Sequence, residues 1–299
     1  MLTTLATLTA LALVAPRQTD TTLPVRQGAR LDVNNFGGEI AVTTWVRSAV
    51  RISANHSSRD RIALSATEQV VRVKAEGRRG PPQVVEYRLT VPAWMVLNLS
   101  GVYTDIRVEG TQAEVAAETV HGEVHVSGGS GNVSLKSVEG AVTLEKARGR
   151  IDLYSVNEEI AATDVSGDVT AETVNGDIRL LRIESSNTEA NTVNGDIIYD
   201  GTIKDGGRYR FATHNGDLRI SVPEKAGVTV SVGTFNGEFS ACFPVQLTGK
   251  HGRRFTFTIG SGSARLELES FDGNIEICRP GHVTEADQRK HKPQKHNEP

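Results

Sequence analysis

The stretch that decides the fold reads GEVHVSGGS at 122–130, GNVSLKSVE at 131–139, GAVTLEKAR at 140–148 and GRIDLYSVN at 149–157. EEIAATDVS at 158–166, GDVTAETVN at 167–175 and GDIRLLRIE at 176–184 continue it. Gly122, Gly131, Gly140, Gly149, Gly167 and Gly176 share one nine-residue grid, with Glu158 in the single slot lacking glycine. Counted from each grid point, positions +2, +4 and +7 are apolar or small. After Gly131 they are Val133, Leu135 and Val138; after Gly149 they are Ile151, Leu153 and Val156. Mostly polar residues alternate with them, as do Asn132, Ser134, Arg150 and Asp152. That is the period-2 pattern of a strand with one buried face. Glycine marks a corner where the backbone turns or approaches a neighbour closely.

Alternate corners differ. Thr119-Val120-His121-Gly122, Ser137-Val138-Glu139-Gly140 and Thr173-Val174-Asn175-Gly176 share one motif, and Thr192-Val193-Asn194-Gly195 resumes it a residue late. The corners between them, Ala147-Arg148-Gly149 and Val165-Ser166-Gly167, are plainer. The true period is therefore 18 residues in two unlike halves. The expected fold is all-β, a β-solenoid stacked from 18-residue coils with nine-residue sides and flanked by antiparallel strands. The rival is a meander of hairpins, since Asn175-Gly176, Asn194-Gly195, Asn215-Gly216 and Asn236-Gly237 are each hairpin signals. A meander has no reason to keep its apolar positions on the grid through corners without Asn-Gly. Beyond Gly195 the glycine spacing grows to 21 residues and then becomes irregular, and there both readings stay open. Because Glu158 occupies a glycine slot, left-handed backbone is expected at Glu158 or at Asn157.

The 299 residues read as one elongated β-repeat domain over 29–280, with regular repeats at 101–200. Residues 1–16 read as a signal peptide, built on the apolar run from Leu5 to Val14. Residues 17–28 read as a loose lead-in, and 281–299 as a disordered polar tail. The reading expects two strands around a Phe36-Gly37-Gly38 turn, and an N-terminal region that covers the open end of the stack. Aromatic content of 5% with 29 glycines suits thin β layers, and a net charge of −3 gives no footprint for nucleic acid. No second apolar segment exists to span a membrane in the mature chain.

Candidate chemistry is sparse. In His121-Gly-Glu123-Val-His125 the histidines of a strand stand ~13 Å apart, too far to share one ion. Gly128-Gly129-Ser130-Gly131-Asn132-Val133 lacks the aspartate of a calcium-binding nonapeptide. Carbohydrate cleavage would need facing carboxylates, for which Asp152, Asp168, Asp177 and Asp196 are candidates by residue type. No catalytic residue, cofactor or metal site is assigned. In an 18-residue coil Glu123, Ala141, Glu159 and Asp177 share a column that Asp196 continues. Neighbouring rungs of such an acidic ladder stand ~4.8 Å apart, screened by solvent or, alternatively, by a divalent cation. Cys242 and Cys278 each follow a repeat glycine by five residues, so they occupy equivalent strand ends and are disulfide candidates. The rival is two free thiols separated by an intervening strand, 255–259 or 264–269.

The recurring [Ser/Thr]-Val-[Asn/His/Glu]-Gly-[Asp/Glu]-[Ile/Val] units resemble those of a bacterial putative-adhesin family of β-strand-repeat proteins. That family is a domain of unknown function related to head-domain adhesins. Thr213-His214-Asn215-Gly216-Asp217-Leu218, Thr234-Phe235-Asn236-Gly237-Glu238-Phe239 and Ser270-Phe271-Asp272-Gly273-Asn274-Ile275 carry the resemblance towards residue 279. It implies an exported, non-enzymatic β protein at the periplasm, cell surface or beyond, and carries over no binding residues. The expected role is an envelope interaction module for a surface, polymer or protein ligand. A self-associating structural or stress-sensing component and a carbohydrate-active β-helix enzyme are the alternatives.

Overall fold

The computed structural model describes residues 17–247, 249–251 and 254–281, with backbone alone at 249–251. The expected signal peptide at 1–16 and, after Gly281, the expected polar tail lie outside the described residues. In chain order the strands are β1 (Arg17–Pro24), β2 (Arg30–Trp45), β3 (Ala49–His56), β4 (Asp60–Ala66), β5 (Val70–Gly77), β6 (Val85–Pro92) and β7 (Val96–Thr111). The regular repeats supply β8 (Val115–His121), β9 (Val124–Gly128), β10 (Ser130–Glu139), β11 (Val142–Glu145), β12 (Arg148–Tyr154), β13 (Ile160–Thr163), β14 (Ser166–Glu172), β15 (Ile178–Ile183), β16 (Asn187–Asn194) and β17 (Ile197–Gly201). The last third contains β18 (Arg208–Asn215), β19 (Leu218–Ser221), β20 (Val228–Asn236), β21 (Phe239–Ala241), β22 (Gly249–His251), β23 (Arg254–Ile259), β24 (Ala264–Asp272) and β25 (Ile275–Cys278).

The expected solenoid is what forms. Its front sheet runs β7-β8-β10-β12-β14-β16-β18-β24-β20, parallel throughout. Its back sheet runs β7-β9-β11-β13-β15-β17-β19-β25-β21, also parallel. From β7 to β15 residues pair with those 18 positions on, as Gly131 with Gly149 and Gly149 with Gly167, and onto β16 and β17 the offset is 19. Val133, Leu135, Ile151 and Leu153 of the front sheet meet Val142, Leu144, Ile160 and Ala162 of the back sheet in one buried cluster. Strands β2 and β7 pass through a corner and contribute to both sheets. The turn expected at Phe36–Gly38 is therefore a bend inside one continuous strand.

Six side chains are buried per coil, but not the six that the +7 rule names. In the coil 131–148 they are Val133, Leu135, Ser137, Val142, Leu144 and Ala147. Val138 points outward and is 39% exposed, as is Val120. The Ser/Thr turns inward instead because its hydroxyl has an acceptor there. Thr119 donates to the Thr104 carbonyl at 2.9 Å, Ser137 to Gly122 at 2.9 Å, Thr192 to Gly176 at 3.0 Å and Ser270 to Gly216 at 3.0 Å. At this corner glycine is required by close approach. A Cβ on Gly140, Gly195 or Gly237 would collide with the carbonyl oxygen of Gly122, Gly176 or Gly273 on the adjoining coil.

The expectation of left-handed backbone at Asn157 or Glu158 is wrong, as neither has positive φ. The corner yields differently: strand geometry gives way to bends at 156–158, and the Ser155 bond to Gly140 lengthens to 3.3 Å. Left-handed non-glycines occur at the other corner, at Lys146 (φ 56°), Asp164 (φ 57°) and Arg182 (φ 53°). They continue an 18-residue column begun by Gly110 and Gly128, whose φ values are 80° and 108°. Arg182 grips Asp164 through two hydrogen bonds of 2.6 and 3.0 Å. That grip holds the Asp164 carboxyl below its ordinary pKa.

Both ends depart from simple stacking. The segment 17–28, expected as a loose lead-in, contains β1, which pairs antiparallel with β3, itself antiparallel to β6 on the back sheet. Strand β4 lies antiparallel on β5, which extends the front sheet through β2. At the other end the order along the stack is not the order of the chain. The β24/β25 coil sits between the β18/β19 and β20/β21 coils. Strand β23 then returns antiparallel along β20, and β22 along β23.

The register makes a sharp contrast between neighbours. Val169 is 2% exposed inside the stack, whereas Thr170 faces out. Val169→Asp should abolish cooperative folding, because an unpaired carboxylate in a dry core costs more than about 4 kcal/mol. Thr170→Asp, which faces out between Asp152 and Glu189, should still unfold cooperatively and within about 5 °C of the parent. Thermal melts by circular dichroism check this; equal melts for the two variants would mean that the register is misassigned.

Candidate functional site

The outward residues fall into columns along the stack, and the expected acidic column is present on the back sheet. It reads Asp105, Glu123, Ala141, Glu159, Asp177, Asp196 and Asp217, followed by Asn274 and Glu238. Its repulsion is relieved by protein groups, where solvent or a divalent cation is the expectation. Asp177 accepts the Asp196 amide N–H at 2.9 Å, and Asp196 accepts that of Asp217 at 2.8 Å. Arg179 bridges Glu159 and Asp177 at 2.9 and 3.6 Å. Arg219, with 11% of its side chain exposed, bridges Asp196 and Asp217 at 3.0 and 2.9 Å. Removing that clamp leaves two half-buried carboxylates facing each other. Arg219→Gln should therefore destabilise by about 1–3 kcal/mol, partly restored by added salt. Urea titrations at low and high salt measure it; no loss of stability would mean the arginine is not what holds the column.

Asp177 and Asp196 thus belong to the back sheet, while Asp152 and Asp168 lie on the front sheet. The four carboxylates proposed by residue type do not converge on one site. His121 meets Glu139 at 2.6 Å and stacks on Tyr103 with ring centroids 4.8 Å apart. Among the described residues, the one group able to offer three metal-ligating atoms is Cys242, Glu276 and Cys278. In the structure these two cysteines are bonded to each other as a disulfide, their Cα atoms 4.8 Å apart. Strands β21 and β25 are immediate neighbours, and β23 and β24 belong to the front sheet rather than between them. Unreduced protein should resist alkylation at both thiols, by intact mass. Cys242→Ser should destabilise by about 3–4 kcal/mol on the chain-entropy account; two freely alkylated thiols would end that expectation.

The front sheet carries the main concavity, about 750 Å³. It crosses the strands β12, β14, β16, β18 and β24. Arg150 forms one rim and Arg208, Arg210 and Arg265 the other, with Asp168, Thr170, Asn187, Glu189 and Glu267 between or beside them. The rims rise because long arginines flank a floor of short side chains. Asn187 Nδ2 donates to Asp168 at 2.9 Å, which fixes both floor groups. Behind the floor the core changes from aliphatic to aromatic, with Tyr199, Tyr209 and Phe211 fully buried. Tyr209 OH donates to the Ser185 carbonyl at 2.7 Å and Tyr199 OH to that of Thr202 at 2.8 Å. Burial pushes both phenols above their ordinary pKa. These anchors make the floor rigid. Sequence reasoning missed the cleft, because Arg208 and Arg265 are 57 residues apart and meet only through the displaced coil.

Residues 171–278 match the family described as Toastrack DUF4097. That segment holds most of the cleft lining. Among solved structures, the chain resembles a putative adhesin from Bacteroides fragilis, with 12% identity over 88% of this chain and 98% of that one and a TM-score of 0.47. It also resembles a putative adhesin from Parabacteroides merdae, with 9% identity over 87% of this chain and 96% of that one and a TM-score of 0.47. A putative lipid binding protein from Parabacteroides distasonis shares 10% identity over 87% of this chain and 96% of that one, with a TM-score of 0.37. No curated protein matches the chain.

Proposed function

We propose that this chain is an exported, non-enzymatic interaction module of the bacterial cell envelope, binding its ligand on the front sheet. The carrying observation is the cleft. Its rim arginines take no part in the core or in the corner bonds that hold the coils together. A parallel sheet backed by a buried aromatic layer suits presentation of side chains to an extended ligand. The disulfide at Cys242 and Cys278 supports export, since such bonds persist in oxidising compartments. No helix among the described residues is long and apolar enough to cross a membrane.

One observation favours a second reading, a structural component that associates with itself. Val120, Val138, Val193, Phe271 and Phe235 form an exposed apolar stripe along the Ser/Thr corner, between 39 and 50% exposed. A carbohydrate-cleaving activity has less support, because Asp168 is engaged by Asn187 and the other candidates are divided between the sheets.

Labelled protein is expected to bind the source organism's envelope fraction saturably, and to sediment as a single species across a wide concentration range. Concentration-dependent association without envelope binding would favour the structural reading. Release of oligosaccharides from envelope polysaccharide would favour the enzyme.

A further inference from the structure

We propose that the front-sheet cleft binds an acidic polysaccharide, with Arg208 and Arg265 holding the carboxylate or sulfate groups of the chain. The proposal rests on the interaction-module reading above and names its ligand.

Two arginines stand side by side here without a direct ion pair among the described residues, although Glu189 and Glu267 lie in the same cleft. Arg208 and Arg265 are register partners on the adjacent parallel strands β18 and β24, both exposed. Like charges directly opposite each other across strands are unfavourable. Neither guanidinium has an ion pair or side-chain hydrogen bond among the described residues. Along the column their neighbours are Asn187 and Thr229, which are neutral. Nearby Arg210 reaches only Glu269, at 3.8 Å, and Arg254 already holds that carboxylate at 2.7 Å. The contrast with Arg219 and Arg182, each clamped to carboxylates, is plain. Planar guanidinium groups aligned side by side are the natural partners of carboxylate or sulfate.

The rest of the lining selects among polyanions. Asp168, Glu189 and Glu267 share the cleft with four arginines. A nucleic acid, charged at every phosphate, would meet those carboxylates with repulsion. An acidic sugar chain meets the same repulsion but carries hydroxyls beside each charge, to which the carboxylates and the Asn187 amide can hydrogen-bond. The only aromatic in the lining, Tyr209, is buried. Bases therefore find no stacking platform. Five neighbouring strands at about 4.8 Å set Arg150 and Arg265 roughly 19 Å apart along the stack axis, with Asp168, Asn187 and Arg208 between them. That accommodates several sugars of an extended chain.

Biolayer interferometry on the full chain tests this with polygalacturonate as the carboxylate probe and dextran sulfate as the sulfate probe. Uncharged dextran and single-stranded DNA serve as comparators. Polygalacturonate or dextran sulfate should bind, more weakly as salt rises, with dextran silent and DNA at least tenfold weaker. The double variant R208Q/R265Q should lose at least tenfold in affinity, while R61Q, which breaks a distant pair with Glu76, should bind like the parent. The double variant should also melt at or above the parent temperature, since it removes a repulsion. Equal binding by the double variant, or DNA binding as tightly as the acidic glycans, would overturn the proposal. Retention on envelope fractions without binding to either acidic probe would overturn it while leaving the module reading intact. Loss of both would overturn that reading as well.

Discussion

Every coil in the stack is tied to the next by one hydroxyl at one corner. The Ser or Thr before the corner folds inward and donates to a backbone carbonyl of the adjoining coil, and at most corners glycine on both coils lets them approach closely. The requirement is reciprocal. A side chain in the glycine slot would hold the coils apart, and an apolar residue in the Ser/Thr slot would leave a buried carbonyl lone pair unused. Hydrophobic burial supplies the bulk of the stabilisation, but it is indifferent to small slips along the axis. The hydroxyl bond is directional and fixes where one coil must sit on another. The outward columns inherit their alignment from it.

Much of this architecture was legible in the sequence, because a solenoid repeats its local chemistry at every turn. The nine-residue grid placed Val133, Leu135, Val142 and Leu144 inside, where they are. It failed where polarity misleads. Val138 reads as core and Ser137 as surface, yet the structure reverses them, since the hydroxyl finds an acceptor inside and the valine does not need one. Glu158 or Asn157 reads as a left-handed corner residue, but a corner can relax by bending as well as by changing φ. The left-handed positions at Lys146, Asp164 and Arg182 went unseen because their column is filled by glycine only in its first rungs.

The acidic column was legible to the residue, since a strict period projects directly into space. Its neutralisation was only half so: Arg179 and Arg219 stand two residues after Asp177 and Asp217, close enough to be guessed as partners. The front cleft was not legible. Its rims come from parts of the chain whose spacing follows no period, and periodicity is the only long-range information that a single repeat sequence carries. Arg208 and Arg265 become neighbours only after the coils are placed.

The exchanged order of the last two coils has a consequence for how the chain reaches its final form. In a solenoid each turn contacts only its neighbours, and up to β19 the neighbour is the turn made just before. Here the turn β20/β21 has no partner waiting, because its seat is on β24/β25, which is made later. The β20/β21 turn must stay undocked while the intervening segment is laid down. Only the arrival of Ile275–Cys278 on β19 closes the assembly. For a chain that emerges from its N-terminus, everything up to β19 can assemble progressively. From β20 onward, docking on the stack waits for β24 and β25.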